Sequence, residues 1–300
     1  MFSRSSWLHV RIPFSYFLLP IFLFSLSISP NFSGPPIAWT FVIIHFLLYP
    51  ASNGFNSYFD RDEKSIGMLK NPPPVTRDLY FLSLLMDTLA IILGFIFLNL
   101  TFAVMLLVYG LISKAYSHPA VRIKRHAVAG WIVTGFFQGA FTFSMCYIGV
   151  NDFSIENAMS PVVLIPGLLT TLMLWANYPL TQVYQHEEDA RRGDKTLSLR
   201  LGIRGTFLFS AIFFTASAIT FWMYLDARFG RPYALLFVVA LAPVTAFFLY
   251  WFYLVRRDLT HANYQMTMRL NFISATCLNS FFIYLFLDSS HVLQALRGGF

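Results

Sequence analysis

The chain has 300 residues, of which 57% are hydrophobic and 12% charged, and its net charge is +7. A soluble domain carries roughly 25% charged residues, so this composition cannot build a water-facing surface and excludes an ordinary soluble enzyme. The positive balance by itself would suit nucleic acid or anionic lipid, and its placement along the chain decides between them.

Stretches free of Asp, Glu, Lys and Arg cover 12–59, 127–151, 157–185, 205–225, 232–255 and 270–287. About 20 apolar residues cross a bilayer as a helix, and the first stretch is long enough for two. The pattern predicts nine helices in a single polytopic domain over 1–300, at about 13–30, 37–59, 79–98, 100–116, 127–149, 161–184, 205–225, 232–254 and 270–288. The first follows a basic start, Arg4 and Arg11, with no small-residue cleavage site after it, so it reads as a retained span. Pro30 and Ser33-Gly34-Pro35-Pro36 mark the turn into the second.

The second helix ends in Asn53-Gly54-Phe55-Asn56-Ser57-Tyr58-Phe59-Asp60-Arg61-Asp62-Glu63-Lys64. Asn56 and Asp60 are four apart and share a helix face, about 6 Å apart along the axis. Pro72-Pro73-Pro74 stiffens the loop that follows. Asp87 falls inside the third helix, where an acid is costly and serves either an acceptor contact or a polar partner on a neighbouring helix. A tight break near Asn99 separates helices three and four, and a basic loop follows: Tyr116-Ser117-His118-Pro119, then Arg122, Lys124 and Arg125. Gly135 and Gly139 form a GxxxG pattern suited to close helix packing. His45 and Asn177 lie inside spans two and six and suit hydrogen bonds between helices. Cys146 and Cys277 fall in apolar stretches and read as small buried side chains.

The sixth helix runs into Gln182-Val183-Tyr184-Gln185-His186-Glu187-Glu188-Asp189, followed by Arg191-Arg192-Gly193-Asp194-Lys195-Thr196-Leu197. This repeats the first acidic segment: an amide, a carboxylate four residues on, then a basic loop with glycine. Seven of the 14 acids sit in these two segments, and Asp60 and Asp189 are 129 residues apart, four spans later. The N-terminus and the loops at 60–78, 114–126, 186–204 and 256–269 hold 18 of the 21 Lys and Arg, leaving only Arg228, Arg231 and Arg297. That asymmetry places the N-terminus and both acidic segments in the cytoplasm and the C-terminus outside, in a multi-pass protein expected in the cell membrane. The basic charge is then a topology signal with contact to lipid headgroups, and nucleic acid is not needed to account for it.

Two acidic helix ends facing one cavity suit diphosphate chemistry. Mg²⁺ takes oxygen ligands and is commonly held by one or two carboxylates together with phosphates and water, while nearby Lys and Arg grip phosphate directly. The first segment resembles the Asn-x-x-x-Asp-x-x-x-Asp motif of the UbiA prenyltransferase superfamily, matched at Asn56 and Asp60. The second is similar to that family's Asp-x-x-x-Asp motif, matched at Asp189, Gly193, Thr196 and Leu197, with Leu199-Arg200-Leu201-Gly202 also fitting. The basic loop at 116–125 is similar to the family's loop after helix four. The resemblance implies an all-α membrane fold of nine helices around a central cavity. It also implies Mg²⁺-dependent transfer of an isoprenyl group from a prenyl diphosphate to a lipophilic acceptor in the membrane.

Carried onto this chain, the resemblance gives Asn56, Asp60 and Asp189 catalytic roles, with Asn56, Asp60, Glu188 and Asp189 as metal ligands. Lys64, Lys124, Arg125, Arg192 and Lys195 become diphosphate contacts. Two positions depart from the family: Lys64 stands where its third acid falls, and Gln185 where the second motif's first acid falls. Asp62, Glu63, Gln185 and Glu187 are candidate substitutes, and Asp87 a candidate acceptor contact. The departures leave room for a non-catalytic member that binds an isoprenoid or a protein partner. A transporter is a further alternative, since a weak internal repeat and intramembrane polar groups suit one.

Overall fold

The computed structural model describes residues 2–290, so Arg297 and the chain's last ten residues lie outside the described part. The nine predicted helices are all present. The first is a bent arm: α1 (Arg4–His9), a 3₁₀ segment (Ile12–Phe17) and α2 (Leu19–Ser27) meet at a 42° break. The bend falls between Phe17 and Leu19, where Pro20 in the first turn of α2 has no N–H to continue the hydrogen-bond ladder, while a left-handed Arg11 (φ 47°) divides α1 from the 3₁₀ segment. The eight longer spans are α3 (Gly34–Asp60), α4 (Asp78–Phe97), α5 (Leu100–Ser117), α6 (Ala127–Asn151), α8 (Pro161–Gln182), α10 (Leu197–Phe229), α11 (Arg231–Arg257) and α12 (Tyr264–Ser289). Two short helices, α7 (Ile155–Ala158) and α9 (His186–Arg192), lie between them.

Local chemistry sets the boundaries. Asn99 caps α5, its side chain accepting from the Phe102 amide at 2.8 Å, which makes the tight break between α4 and α5. The seventh span begins eight residues earlier than the charge pattern predicts, because Thr196 caps its start by accepting from the Leu199 amide and the helix kinks at Gly202 (φ 66°) before running on. Arg200 and Arg204 ended the apolar stretch in sequence yet belong to the first turns of α10. Two short π-helical stretches interrupt spans, at Ile43–Leu48 in α3 and Phe137–Phe141 in α6. Such bulges are frequent at functional sites.

The core is aromatic. Phe24 of α2 stacks on Phe282 of α12 at 4.7 Å and meets Phe143 and Phe221 at 5.3 and 5.5 Å, tying four helices together. A second cluster joins α10 and α11 through Phe207, Phe248 and Trp251. Outward faces carry exposed Phe95, Leu100, Ile212 and Val239, a surface for lipid tails. GxxxG does what its spacing suggested. A Cβ on Gly135 would stand 2.0 Å from Trp175, and one on Gly139 2.6 Å from the Thr171 backbone, so α6 and α8 pack closely there. His45 is packed among the rings of Phe22, Phe41 and Tyr49, and its Nε2 has no hydrogen-bond partner.

The loops sort to two ends. Ser29 and Asn31 bond Asn151, and Asn99 bonds Asp152, at one end. At the other, α1 is tied to the first basic loop through His9 to the Pro73 carbonyl and Ser6 to Asp78. That loop also reaches α9, and parallel bridges join His126–Ala127 to Lys195–Thr196. All three motif segments therefore assemble at one end of the bundle.

Candidate active site

Asp60 closes α3, and the left-handed Arg61 (φ 49°) turns the chain away from the helix axis. Asp189 sits in the middle of α9, which Gly193 (φ 75°) terminates. A Cβ at that φ would be strained, which accounts for glycine at this turn. These two turns bring the acids together over a cavity of about 230 Å³.

The acids meet through three cations. Arg192 bonds Asp62, reaches Asp189 at 3.2 Å and Asp194 at 3.7 Å, and donates to the Asp60 carbonyl at 3.3 Å. Arg122 grips Asp194 with both ends of its fork, at 2.7 and 2.8 Å, and touches Asp60 at 3.4 Å. Lys124, itself buried, pairs with Asp60. Bidentate guanidinium–carboxylate pairs of this kind fix geometry as well as charge. Burial pushes the Asp189 carboxyl up to about 6 against the pull of Arg192. Burial, and then the neighbouring Asp60 charge, raises Asp62. Burial works against the charged form of Arg192, but Asp62 and Asp60 outweigh it and raise its pKa. Hydrogen bonds to Asp194 raise Arg122.

Of the residues expected here, Asn56, Asp60, Asp62, Lys124, Gln185, Asp189 and Arg192 line the cavity together. Asn56 Nδ2 donates to Ser117 Oγ at 3.0 Å, which ties the first motif to the basic loop's start. Others point elsewhere. Glu188 is not placed as a ligand: its Oε1 accepts the backbone N–H groups of Glu63 and Lys64 at 3.1 and 3.0 Å, clamping the first motif's loop to α9. Lys64 pairs with Glu187 at 2.5 Å on the outside, their side chains 54% and 69% exposed. Arg125 donates to His126, and Lys195 is exposed beside its bridge to His126. Glu63 is exposed as well. Asp87 pairs with Lys114 of α5, whose ammonium lies 5.1 Å from the Phe55 ring, and does not line the acidic cavity.

Three features escaped the sequence reading. Asp194 is almost wholly buried between two arginines, though it lies off the four-residue spacing that singled out Asp189. Arg11, which looked like a topology charge, lines the cavity and donates to the carbonyls of Asn53 and Gly67. Tyr116 and Tyr178 join their hydroxyls across the cavity wall; one of them stood in the quoted basic-loop motif.

The sequence profile described as the UbiA prenyltransferase family matches residues 17–273. The chain belongs to this family. Among solved structures, a UbiA homolog from Archaeoglobus fulgidus bound to GPP and Mg²⁺ has a TM-score of 0.63 at 18% identity, covering 94% of this chain and 99% of its own. The form bound to DMAPP and Mg²⁺ has a TM-score of 0.63 at 17% identity, covering 93% and 97%. A structure concerned with digeranylgeranylglyceryl phosphate synthase has a TM-score of 0.60 at 16% identity, covering 94% and 98%. These likenesses show the UbiA fold. No curated protein matches the sequence.

The donor chemistry of this UbiA member suits a hard divalent ion: carboxylates of Asp60, Asp62, Asp189 and Asp194 with the amides of Asn56 and Gln185, and no thiol or imidazole among the cavity's lining. Among the described residues no group of three His, Cys, Asp or Glu is gathered tightly enough to hold a metal ion alone. The carboxylates are turned toward arginine and lysine instead. A metal here would need phosphate oxygens to complete its shell, which is how Mg²⁺ is ordinarily bound.

Proposed function

We propose that this protein transfers an isoprenyl group from a prenyl diphosphate to a lipophilic acceptor within the membrane, with Mg²⁺. The observation that carries the reading is the convergence of Asp60 and Asp189, remote in sequence, on one cavity through Arg192, Arg122 and Lys124. Asp60, Asp189 and Asn56 are the residues that would hold Mg²⁺, with Asp62 and Gln185 beside them. When bound, the ion neutralises the leaving diphosphate and so eases scission of the carbon–oxygen bond.

The chain's own cations divide the remaining work. Lys124 and Arg192 neutralise the carboxylates before substrate arrives, which keeps four buried acids compatible with a folded site. Both are matched to phosphate oxygens. An arriving diphosphate would compete for them and free the carboxylates of Asp60 and Asp189, the residues that would hold the ion. The turned-out Lys64 takes no part, and the loss of an acid at that position removes nothing from the cavity's interior. Tyr116, Tyr178 and Phe137 line the wall beneath the acids and offer ring faces to an allylic cation.

The test is diphosphate release from geranyl diphosphate by purified protein. Mg²⁺-dependent release is expected, abolished by EDTA and reduced at least about 100-fold by Asp60→Ala or Asp189→Ala. Unchanged release in both variants would reject the reading. The closed set of ion pairs favours a second reading, binding of a prenyl diphosphate without turnover. That reading predicts tight binding and no release even with acceptor supplied.

A further inference from the structure

The triproline run lies outside the lining of the acidic cavity, yet it holds the N-terminal arm. Proline lacks an N–H, so three in a row offer carbonyl acceptors and no donors of their own. The arm supplies the donors. Ser5 and His9 are four apart on α1 and share a face. Ser5 Oγ donates to the Pro74 carbonyl at 2.7 Å, and His9 Nε2 bonds the Pro73 carbonyl at 2.8 Å. Beside them, Asp78 at the start of α4 accepts the Ser3 amide at 2.6 Å and the Ser6 hydroxyl at 2.9 Å, both on Oδ2. Thr76 joins the same two serines at 2.9 and 3.1 Å. Val10 then enters a small core with Ala51, Leu79, Leu82 and Met86 and is fully buried.

Arg11 follows in the left-handed conformation, φ 47° and ψ 50°. An L side chain disfavours that region, and strained backbone persists only where its surroundings over-determine it. On one side stand the anchors of α1. On the other, Pro13 opens the 3₁₀ segment with its φ fixed by the ring. The turn brings Arg11 to the acidic cavity, where it donates to the carbonyls of Asn53 and Gly67 at 3.3 and 3.4 Å. Arg11 differs there from Lys124 and Arg192. Those two are held by carboxylates, whereas Arg11, among the described residues, pairs with none. Its charge reaches the cavity uncommitted to an acid.

We infer that Asp78, together with the triproline loop, is a latch that positions Arg11: it fixes α1, enforces the left-handed turn and keeps an unpaired guanidinium at the cavity for the phosphates of a bound ligand. Asp78 does not line the cavity itself, so it acts only through the arm. This role deepens the prenyl-transfer reading and rests on it for the identity of the anion.

Two measurements on full-length protein test the latch, and the first needs no ligand. In detergent, Arg11→Gly is expected to melt about 2–4 °C above Arg11→Ala, because alanine is strained at a positive φ and glycine is not. In the Asp78→Ala background that gap is expected to close, since a freed arm relaxes. Asp78→Asn, which keeps an acceptor oxygen, is expected to preserve it. The second measurement is binding of geranyl thiolodiphosphate with Mg²⁺ in nanodiscs. Arg11→Ala is expected to weaken binding about tenfold and Asp78→Ala about threefold to tenfold, while Asp78→Ala added to Arg11→Ala weakens it less than about twofold further. A merely structural Asp78 would lower stability and show neither coupling. A melting gap that survives Asp78→Ala, or affinity losses that simply sum, overturns the latch. Should Asp78→Ala fail to fold, His9→Ala loosens α1 in its place with the same expectations. Coupled binding without diphosphate release would sink the transfer reading and leave the latch standing. Release with losses that sum would do the reverse. A wild type that binds no analogue also sinks the transfer reading, and the melting gap then decides the latch.

Discussion

Asp62 and Lys64 lie two residues apart, and so do Glu187 and Asp189, yet one of each pair faces the cavity and the other faces out. Asp62 and Asp189 are buried against Arg192, whereas Lys64 and Glu187 pair with each other at 54% and 69% exposure. Inside, low dielectric makes each charge depend on its partner, and removing one partner leaves an uncompensated buried charge. Outside, water screens the same kind of pair to little value. Depth thus separates residues that carry the site from residues that merely decorate its loops, even where both belong to one short motif.

The largest expected effect on stability tests the inner face. Arg192→Ala leaves Asp62 and Asp189 without their cation, while Asp194 keeps Arg122, and is expected to cost about 3–5 kcal/mol, seen as a large fall in the thermal midpoint in detergent. A neutral result would mean that water already reaches these acids. Glu188→Ala comes next. It leaves the N–H groups of Glu63 and Lys64 without their acceptor, and an expected loss of about 1–3 kcal/mol should be accompanied by weaker geranyl diphosphate binding as the loop bearing Asp62 loosens. Glu188→Gln, which keeps an acceptor oxygen, is expected to recover most of both. A true metal ligand would instead tolerate Gln poorly, so the pair of variants separates the clamp from a ligand. Lys64→Ala sits at the other extreme. It is expected to change stability by less than about 1 kcal/mol and to leave diphosphate binding within twofold. A strong effect there would collapse the distinction between inner face and outer rim.

Much of this was legible in sequence. Runs without charge gave nine spans because a bilayer tolerates few ionised groups, and amide-to-carboxylate spacing found Asn56, Asp60 and Asp189. What spacing could not give was direction. The left-handed turns at Arg61 and Gly193 decide which following side chains swing inward, and they send Asp62 and Asp194 in and Lys64 out. Glu188 misled for the same reason: on α9 it lies one position from Asp189 and so faces about 100° away, toward the loop it clamps. Arg11 was hidden because a cation at a span's start looks identical whether it anchors topology or lines a chamber.

The central claim is that Asp60 and Asp189 act on one ligand, and a double-mutant cycle measures it directly. Binding of geranyl thiolodiphosphate in the presence of Mg²⁺ would be compared across wild type, Asp60→Asn, Asp189→Asn and the double variant. Shared grip predicts that each single change removes most of the affinity and that the double change adds little more, a coupling above about 1 kcal/mol. Losses that simply sum, or no loss in either single variant, would show two independent acidic helix ends and contradict the account.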